Sequence, residues 1–328
     1  MQAFEYARPK TVRSAAHLLA RRWGETEILA GGTDLVSLMK DGVARPRRVV
    51  SLRDVAELRR LEFDPRMGLT MGSMVTLHEL IAKPEVAEYY PAIVTAAQGV
   101  RSEQLQNMGT VGGDLLQRPR DWYYRNGYGL LAEWHGRSLI PNGENRYNAI
   151  LGNSGPAYFV SPSSLAPILI ALGGGVRLEG PRGYRDVPLE RLYVIPKSES
   201  EREHSIRPDE VLTNVYVPSA SKIAMAVYEV REKQALDWPL IAAAVALRLN
   251  DDKVEAARVI LGQAAPIPWP CLEAEKALVG KKVTETVAAA AGQAAVHGAR
   301  ALSHNGYKIQ LARVAVKRAV MAAVKGVA

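Results

Sequence analysis

Two short segments carry residue types that could hold an anion. Ala30-Gly31-Gly32-Thr33-Asp34 and Thr110-Val111-Gly112-Gly113-Asp114 each set two glycines beside a hydroxyl and a carboxylate, after an apolar run. Glycine lets the backbone turn sharply and approach a ligand closely, so that successive N–H groups can face an anion. The first pair also opens a helix, whose leading amides add positive potential. Thr33 and Thr110 can add hydroxyl donors, while Asp34 and Asp114 suit capping or bracing a loop better than touching phosphate. No P-loop lysine follows and no G-x-G-x-x-G occurs. One Gly-Gly pair alone is an ordinary turn. Two, in different α/β segments, point to loops clasping one long anionic ligand such as a diphosphate.

Other candidates are weaker. His78 follows Thr76 and Glu79 closes a capping box with it, which makes it a surface histidine rather than an acid–base group. His135 has no second histidine at ligand spacing. Cys271, the one cysteine, precedes a helix and reads as structural; alone it can neither close an intrachain disulfide nor bind a cluster through thiolates. The net charge is +8, but the basic residues are dispersed and not interleaved with stacking aromatics. That argues against nucleic acid and for a solvated face or a face docking acidic subunits. No run approaches a membrane span, and MQAFEYARPK lacks an apolar signal core, so a cytoplasmic protein is expected.

The elements that must position the two turns follow from periodicity. Thr11–Trp23 reads as a helix, Ile28–Ala30 as a short strand, Leu35–Met39 as a helix stopped by Gly42, and Arg48–Leu52 as a strand. Leu69–Met74, a capped helix from Thr76 and a helix from Pro91 lead to the second turn. Arg118–Gly155 then lacks clear periodicity and is too long for an idle loop. Beyond it come a strand (158–160), a helix (163–172) and a strand (176–179). Strands 211–217, 224–230, 240–249 and 256–261 form a meander, and helices 271–278, 283–301 and 307–324 close the chain.

At this point the residues carry a resemblance. Ile28 to Leu35 (ILAGGTDL), Gly72 to Leu80 (GSMVTLHEL) and Gln106 to Asp114 (QNMGTVGGD) resemble the FAD-binding medium subunit of the molybdenum hydroxylases. That family includes xanthine dehydrogenase, CO dehydrogenase, aldehyde oxidoreductase and 4-hydroxybenzoyl-CoA reductase. FEYARPKTVRSAAHLL at the start, LGQAAPIPWPCLEAEKALVGK and HNGYKIQLARVAVKRAV near the end are similar too. The resemblance spans nearly the whole chain. It implies an α+β protein: a two-subdomain vanillyl-alcohol-oxidase-type (PCMH-type) FAD-binding fold plus a C-terminal α+β domain of the CO dehydrogenase flavoprotein type. The expected divisions are 1–57, 58–195 with an insertion at 118–157, a linker at 196–210, and 211–328.

The resemblance also implies where FAD is held. The first loop contributes Leu29, Ala30, Gly31, Gly32, Thr33, Asp34, Leu35 and Val36; the second contributes Thr110, Val111, Gly112, Gly113 and Asp114. Val100, Ser164, Leu212 and Glu229 match further cofactor-contact positions. Three departures stand out. Asp114 occupies a usual Asn, which places charge near a diphosphate and loosens binding. Ser164 replaces an Asp, and Glu229 a Lys. In one branch the insertion carries four cysteines holding a [4Fe–4S] cluster. Here QRPRDWYYR puts Asp121 at the first cysteine position and Ala157 falls at the last, so no [4Fe–4S] cluster is expected and aromatic packing by Trp122, Tyr123, Tyr124, Tyr128, Trp134 and Tyr147 is expected to hold the insertion.

The implied function is electron transfer within a molybdenum hydroxylase or dehydrogenase complex. Electrons would come from a molybdopterin centre on a large subunit, through [2Fe–2S] clusters on a small subunit, to FAD on this chain and on to an external acceptor; a dimer of heterotrimers is one expected assembly. No catalytic side chain, metal, nucleic acid or membrane span is expected on the chain. A stand-alone flavin oxidoreductase of the same fold and a non-redox assembly subunit that has lost FAD are the alternatives.

Overall fold

A computed structural model describes residues 1–233 and 237–325. The N-terminal unit is a small parallel sheet in which Arg48–Ser51 lies between Glu5–Ala7 and Thr26–Leu29. Parallel strands need crossovers, and Val12–Leu18 and Leu35–Lys40 supply them. The first helix is shorter than its periodicity suggests. Its Thr11 caps the start, and the chain turns extended at Leu19 because Thr26 accepts the Ala20 N–H instead. Val12, Ala15, Ala16, Val50, Leu52 and Leu58 form this unit's core.

The second unit is a five-stranded antiparallel sheet ordered Leu61–Asp64, Gly68–Gly72, Val211–Val217, Gly175–Gly180, Gly183–Pro188. Val211–Val217, which periodicity places at the head of the C-terminal meander, is the central strand here. It pairs with Gly68–Gly72 on one side and Gly175–Gly180 on the other. Its partners are remote in sequence, so local pattern could not find them. Short helices including Leu77–Ala82, Pro91–Gln98 and Ala166–Ala171 pack on the sheet around buried Tyr90, Ile93, Leu115 and Leu169. The Thr76 capping box forms as its sequence dictates, with Thr76 Oγ1 accepting from Glu79 N at 3.1 Å and Glu79 Oε2 accepting from Thr76 N at 2.7 Å.

The C-terminal unit is the meander Ile223–Val230, Ile241–Asn250, Lys253–Gly262 and Trp269–Pro270, covered by helices Leu272–Leu278, Glu285–Ala295 and Tyr307–Lys325. Alanine faces let the last two helices approach closely: a Cβ on Gly292 would lie 2.4 Å from the Arg313 carbonyl. Cys271 is buried against this unit, and burial pushes its thiol up to about 12, which makes it a packing residue. Among the described residues no helix is long and apolar enough to cross a membrane.

The insertion folds against both neighbours. Asp121 caps the short helix Trp122–Arg125 through Tyr123 N and Tyr124 N, and its other oxygen accepts from Asn148. Ala157 is fully buried beside Tyr124, Leu131 and Phe159. The expectation of aromatic packing holds in part: Tyr124 is buried, and Trp122 meets Tyr147 and Tyr123 meets Tyr128 edge to face. Trp122 and Tyr128 are half exposed, and Trp134 is more so. Buried amides do the anchoring. Asn145 reaches Ser303 and the His304 N–H, Asn153 reaches Arg300 O, and Asn305 donates to the carbonyls of Asn148 and Ala149. Lys308 completes the set from the last helix. Its ammonium donates to the carbonyls of Tyr147, Asn148 and Gln263 at 2.8–3.0 Å.

Burial pulls Lys308 down to about 7. The folded chain therefore sheds this proton where the unfolded chain keeps it, and stability rises as pH goes from about 7 towards the ordinary lysine range near 10.5. Replacing Lys308 by Met takes the donor from the Tyr147 and Gln263 carbonyls, while the Asn148 carbonyl keeps its bond from Asn305. It is expected to cost about 3 kcal/mol in urea denaturation at pH 7 and to abolish that alkaline rise.

Candidate cofactor cleft

The first glycine turn leaves the strand Thr26–Leu29 and enters the helix Leu35–Lys40. The second follows the helix Glu103–Met108: Thr110 caps the single turn of helix Val111–Leu115, and Gly112 and Gly113 lie within that turn. Tertiary folding brings them into contact. A Cβ on Gly31 would sit 1.6 Å from the Met108 carbonyl oxygen, so only glycine permits this approach. Gly32 takes φ +79°, the left-handed turn that glycine favours. Gly112 is pressed on Ser73, where a Cβ would come to 2.7 Å of the Ser73 Cβ. Gly113 differs, because a Cβ there would meet only Thr110 Oγ1, at 3.0 Å.

A cleft runs between the N-terminal and second units, and both turns line it. Of the expected contact residues, Ala30, Gly31, Gly32, Thr33, Asp34, Leu35, Thr110, Gly112, Gly113 and Leu212 stand on its wall. Leu29, Val36, Val100, Val111, Asp114, Ser164 and Glu229 do not.

The loops divide the work of binding. In the second loop the backbone donors are engaged: Val111 N with Val75 O, Gly112 N with Ser73 O, Gly113 N with Thr110 Oγ1 and Asp114 N with Thr110 O. In the first loop the N–H groups of Gly31, Gly32, Thr33 and Asp34 have no acceptor among the described residues. These free amides on a glycine-shaped wall suit the diphosphate of a dinucleotide, so the chain's residues fit FAD at this point.

Two carboxylates serve as braces. Asp34 accepts from Arg118 N at 2.8 Å and from Arg125 at 2.7 Å, and Arg120 lies 3.3 Å away. Asp34 is thus neutralised by the insertion and ties it to the first loop. Asp114 turns from the cleft into the protein. It accepts from Ser163 Oγ, Ser164 N, Leu165 N and Gln117. Its charge therefore meets hydroxyl and amide donors rather than a diphosphate, contrary to the expectation of repulsion there. Burial raises its pKa, and those same bonds oppose the rise. Ser164 belongs to this buried turn. Glu229 is buried in an ion pair with Arg231, and burial raises its pKa.

Sequence reading missed several wall residues. The segment expected as a linker folds back instead: Ser205 N donates to Leu192 O, and Val194 N to Glu203 O. It brings Arg202 and His204 to the cleft, where Trp23, Glu27 and Arg118 also stand. The Ser-, Glu- and Arg-rich composition of 196–210 signals solvent, and only its partners reveal the strap.

Comparison with known proteins agrees with this geometry. The model of the FAD-binding domain in molybdopterin dehydrogenase matches residues 2–220. The chain belongs to that family. The CO dehydrogenase flavoprotein C-terminal domain matches residues 226–323, as the sequence resemblance implied. The CO dehydrogenase medium chain of Hydrogenophaga pseudoflava is 27% identical over 324 residues, covering 98% of this chain and 96% of that one. The aldehyde oxidoreductase FAD-binding subunit of Escherichia coli (strain K12) is 28% identical over 272 residues, covering 82% of this chain and 84% of that one. In solved structures, the CO dehydrogenase of Hydrogenophaga pseudoflava superposes with a TM-score of 0.78 at 26% identity, over 99% of this chain and 98% of that one.

Asp34 is the brace on which this family member's cleft depends. Replacing it by Ala leaves the arginines of the insertion without their partner and is expected to cost about 3 kcal/mol, read as a lower midpoint in urea. Asp34→Asn is expected to lose less, because an amide oxygen still accepts one bond.

Proposed function

We propose that this chain is the FAD-carrying medium subunit of a molybdenum hydroxylase or dehydrogenase complex, and that it passes electrons from the [2Fe–2S] clusters of a small partner subunit to an external acceptor. Its partners on this reading are that small subunit and a large molybdopterin subunit. The observation that carries it is the paired glycine turns, one with free amides and one packed as its support, in a chain of this family. When bound, FAD would supply the redox chemistry.

What the chain contributes is position and electrostatics. The first loop offers backbone donors to an anion, and these do not depend on side-chain identity. Arg120 and Arg125 hold that loop in place through Asp34 and offset its one carboxylate. Leu35 and Leu212 give apolar wall. Asp114 fixes the turn Ser161-Pro162-Ser163-Ser164 from behind and leaves the cleft without its charge. The departures at Asp114, Ser164 and Glu229 therefore leave the first loop's donors intact. No iron is expected on the isolated chain, since Cys271 is its single cysteine and lies in the C-terminal core.

The purified complex should show flavin absorbance, release FAD on denaturation, and contain iron only on its small subunit. A correctly assembled complex without flavin overturns the reading. Gly113→Ala is expected to keep the melting temperature of the wild type within a few degrees, because its Cβ meets only one hydroxyl. The methyl group on the cleft wall should weaken FAD binding by about tenfold, the order of overpacking by one methyl group. Flavin retention after gel filtration is the measurement. Gly31→Ala should lose both stability and flavin, because it drives the two loops apart.

A further inference from the structure

The cleft wall also carries side chains outside the two glycine loops. There Trp23 lies beneath the guanidinium of Arg202, 4.5 Å from ring centroid to Cζ. Arg202 also reaches Oε1 of Glu27 at 3.4 Å, a long contact. Oε2 of Glu27 has no hydrogen bond among the described residues. Glu27 lies on the strand that runs into the first glycine turn, three residues before Ala30, and it lines the cleft. Its side chain is 23% exposed.

A carboxylate in this setting is short of donors. Burial is the main influence on it and raises its pKa to about 7, with Glu203 and Asp34 adding to the rise and Arg118 opposing it. Arg118 makes its ion pair with Glu203 and no hydrogen bond with Glu27 among the described residues. A free acceptor beside a flat stack of indole and guanidinium suits a planar ring with an amino group on its edge. In a dinucleotide whose diphosphate lies on the glycine loops, one such ring is adenine.

We propose that the part of the cleft walled by Trp23, Glu27 and Arg202 reads the adenine of FAD, with Oε2 of Glu27 accepting a hydrogen bond from the adenine 6-amino group. Arg202 holds Glu27 in place through Oε1 and presents a flat face for stacking. Glu27 is then a specificity-determining residue for the nucleotide half, separate from the amides that hold the diphosphate. The inference rests on the FAD reading.

The test uses the full-length protein, stripped of flavin and shown to be folded, titrated calorimetrically at pH 8 with FAD, ADP and IDP. IDP carries a carbonyl oxygen in place of the 6-amino group, which sets a lone pair against Glu27. The wild type is expected to bind ADP about tenfold more tightly than IDP, the order of one hydrogen bond to a charged group. Glu27→Ala should bind both within about twofold. Arg202→Ala, on the strap, should weaken both yet keep a preference for ADP, which separates loss of stacking from loss of the reader. Equal binding of ADP and IDP by the wild type, or a preference that survives in Glu27→Ala, overturns the proposal while FAD binding stands. A folded protein that binds neither FAD nor ADP overturns the FAD reading itself.

Discussion

The contact between Gly31 and the carbonyl of Met108 is the constraint around which the cleft is built. It joins the small parallel sheet of the N-terminal unit to the helices before the second turn. Because the two backbones touch there, the cleft has a fixed floor, and the first loop is left with its N–H groups turned free of the protein. Backbone donors are well suited to such a place. They are held by the chain's own covalent geometry and keep their direction whatever side chains surround them.

Asp34 extends that constraint outward. One carboxylate gathers a backbone amide and two guanidinium groups from the insertion, in surroundings where water is partly excluded. A part-buried pair of this kind adds little net stability against an apolar substitute, but its loss leaves cations uncompensated. Its value is specificity of arrangement: it sets where the insertion begins relative to the first loop. From the other side, Lys308 and the buried asparagines fasten the insertion to the last helix. The insertion is thus a bracket between the cleft and the C-terminal unit. Asp121 serves as a helix cap and Ala157 as a packing residue.

The buried carboxylates show how far substitution at one position depends on direction. Asp114 next to a diphosphate would repel it. Turned inward, the same group satisfies two backbone N–H groups and a serine hydroxyl at the start of the helix Ala166–Ala171. Glu229 in its ion pair with Arg231 belongs to the same inward-facing set. By contrast Glu27, which no local pattern singled out, keeps an oxygen free in the cleft.

Much of this was legible in the residues alone. The glycine turns, the Thr76 capping box, the meander and the closing helices rest on local rules: φ freedom, side-chain caps, and periods of two and three to four. Family membership also followed from the order and spacing of short motifs. Other features depended on partners far away in the chain. Val211–Val217 became a central strand because its hydrogen-bond partners lie more than a hundred residues before it and some thirty before it. The strap at 196–210, the inward turn of Asp114 and the three carbonyls around Lys308 are likewise settled by long-range hydrogen bonds. Sequence determines what each segment can do by itself. Which way a side chain faces, and whether a carboxylate is neutralised or left free, is decided only when remote segments close around it.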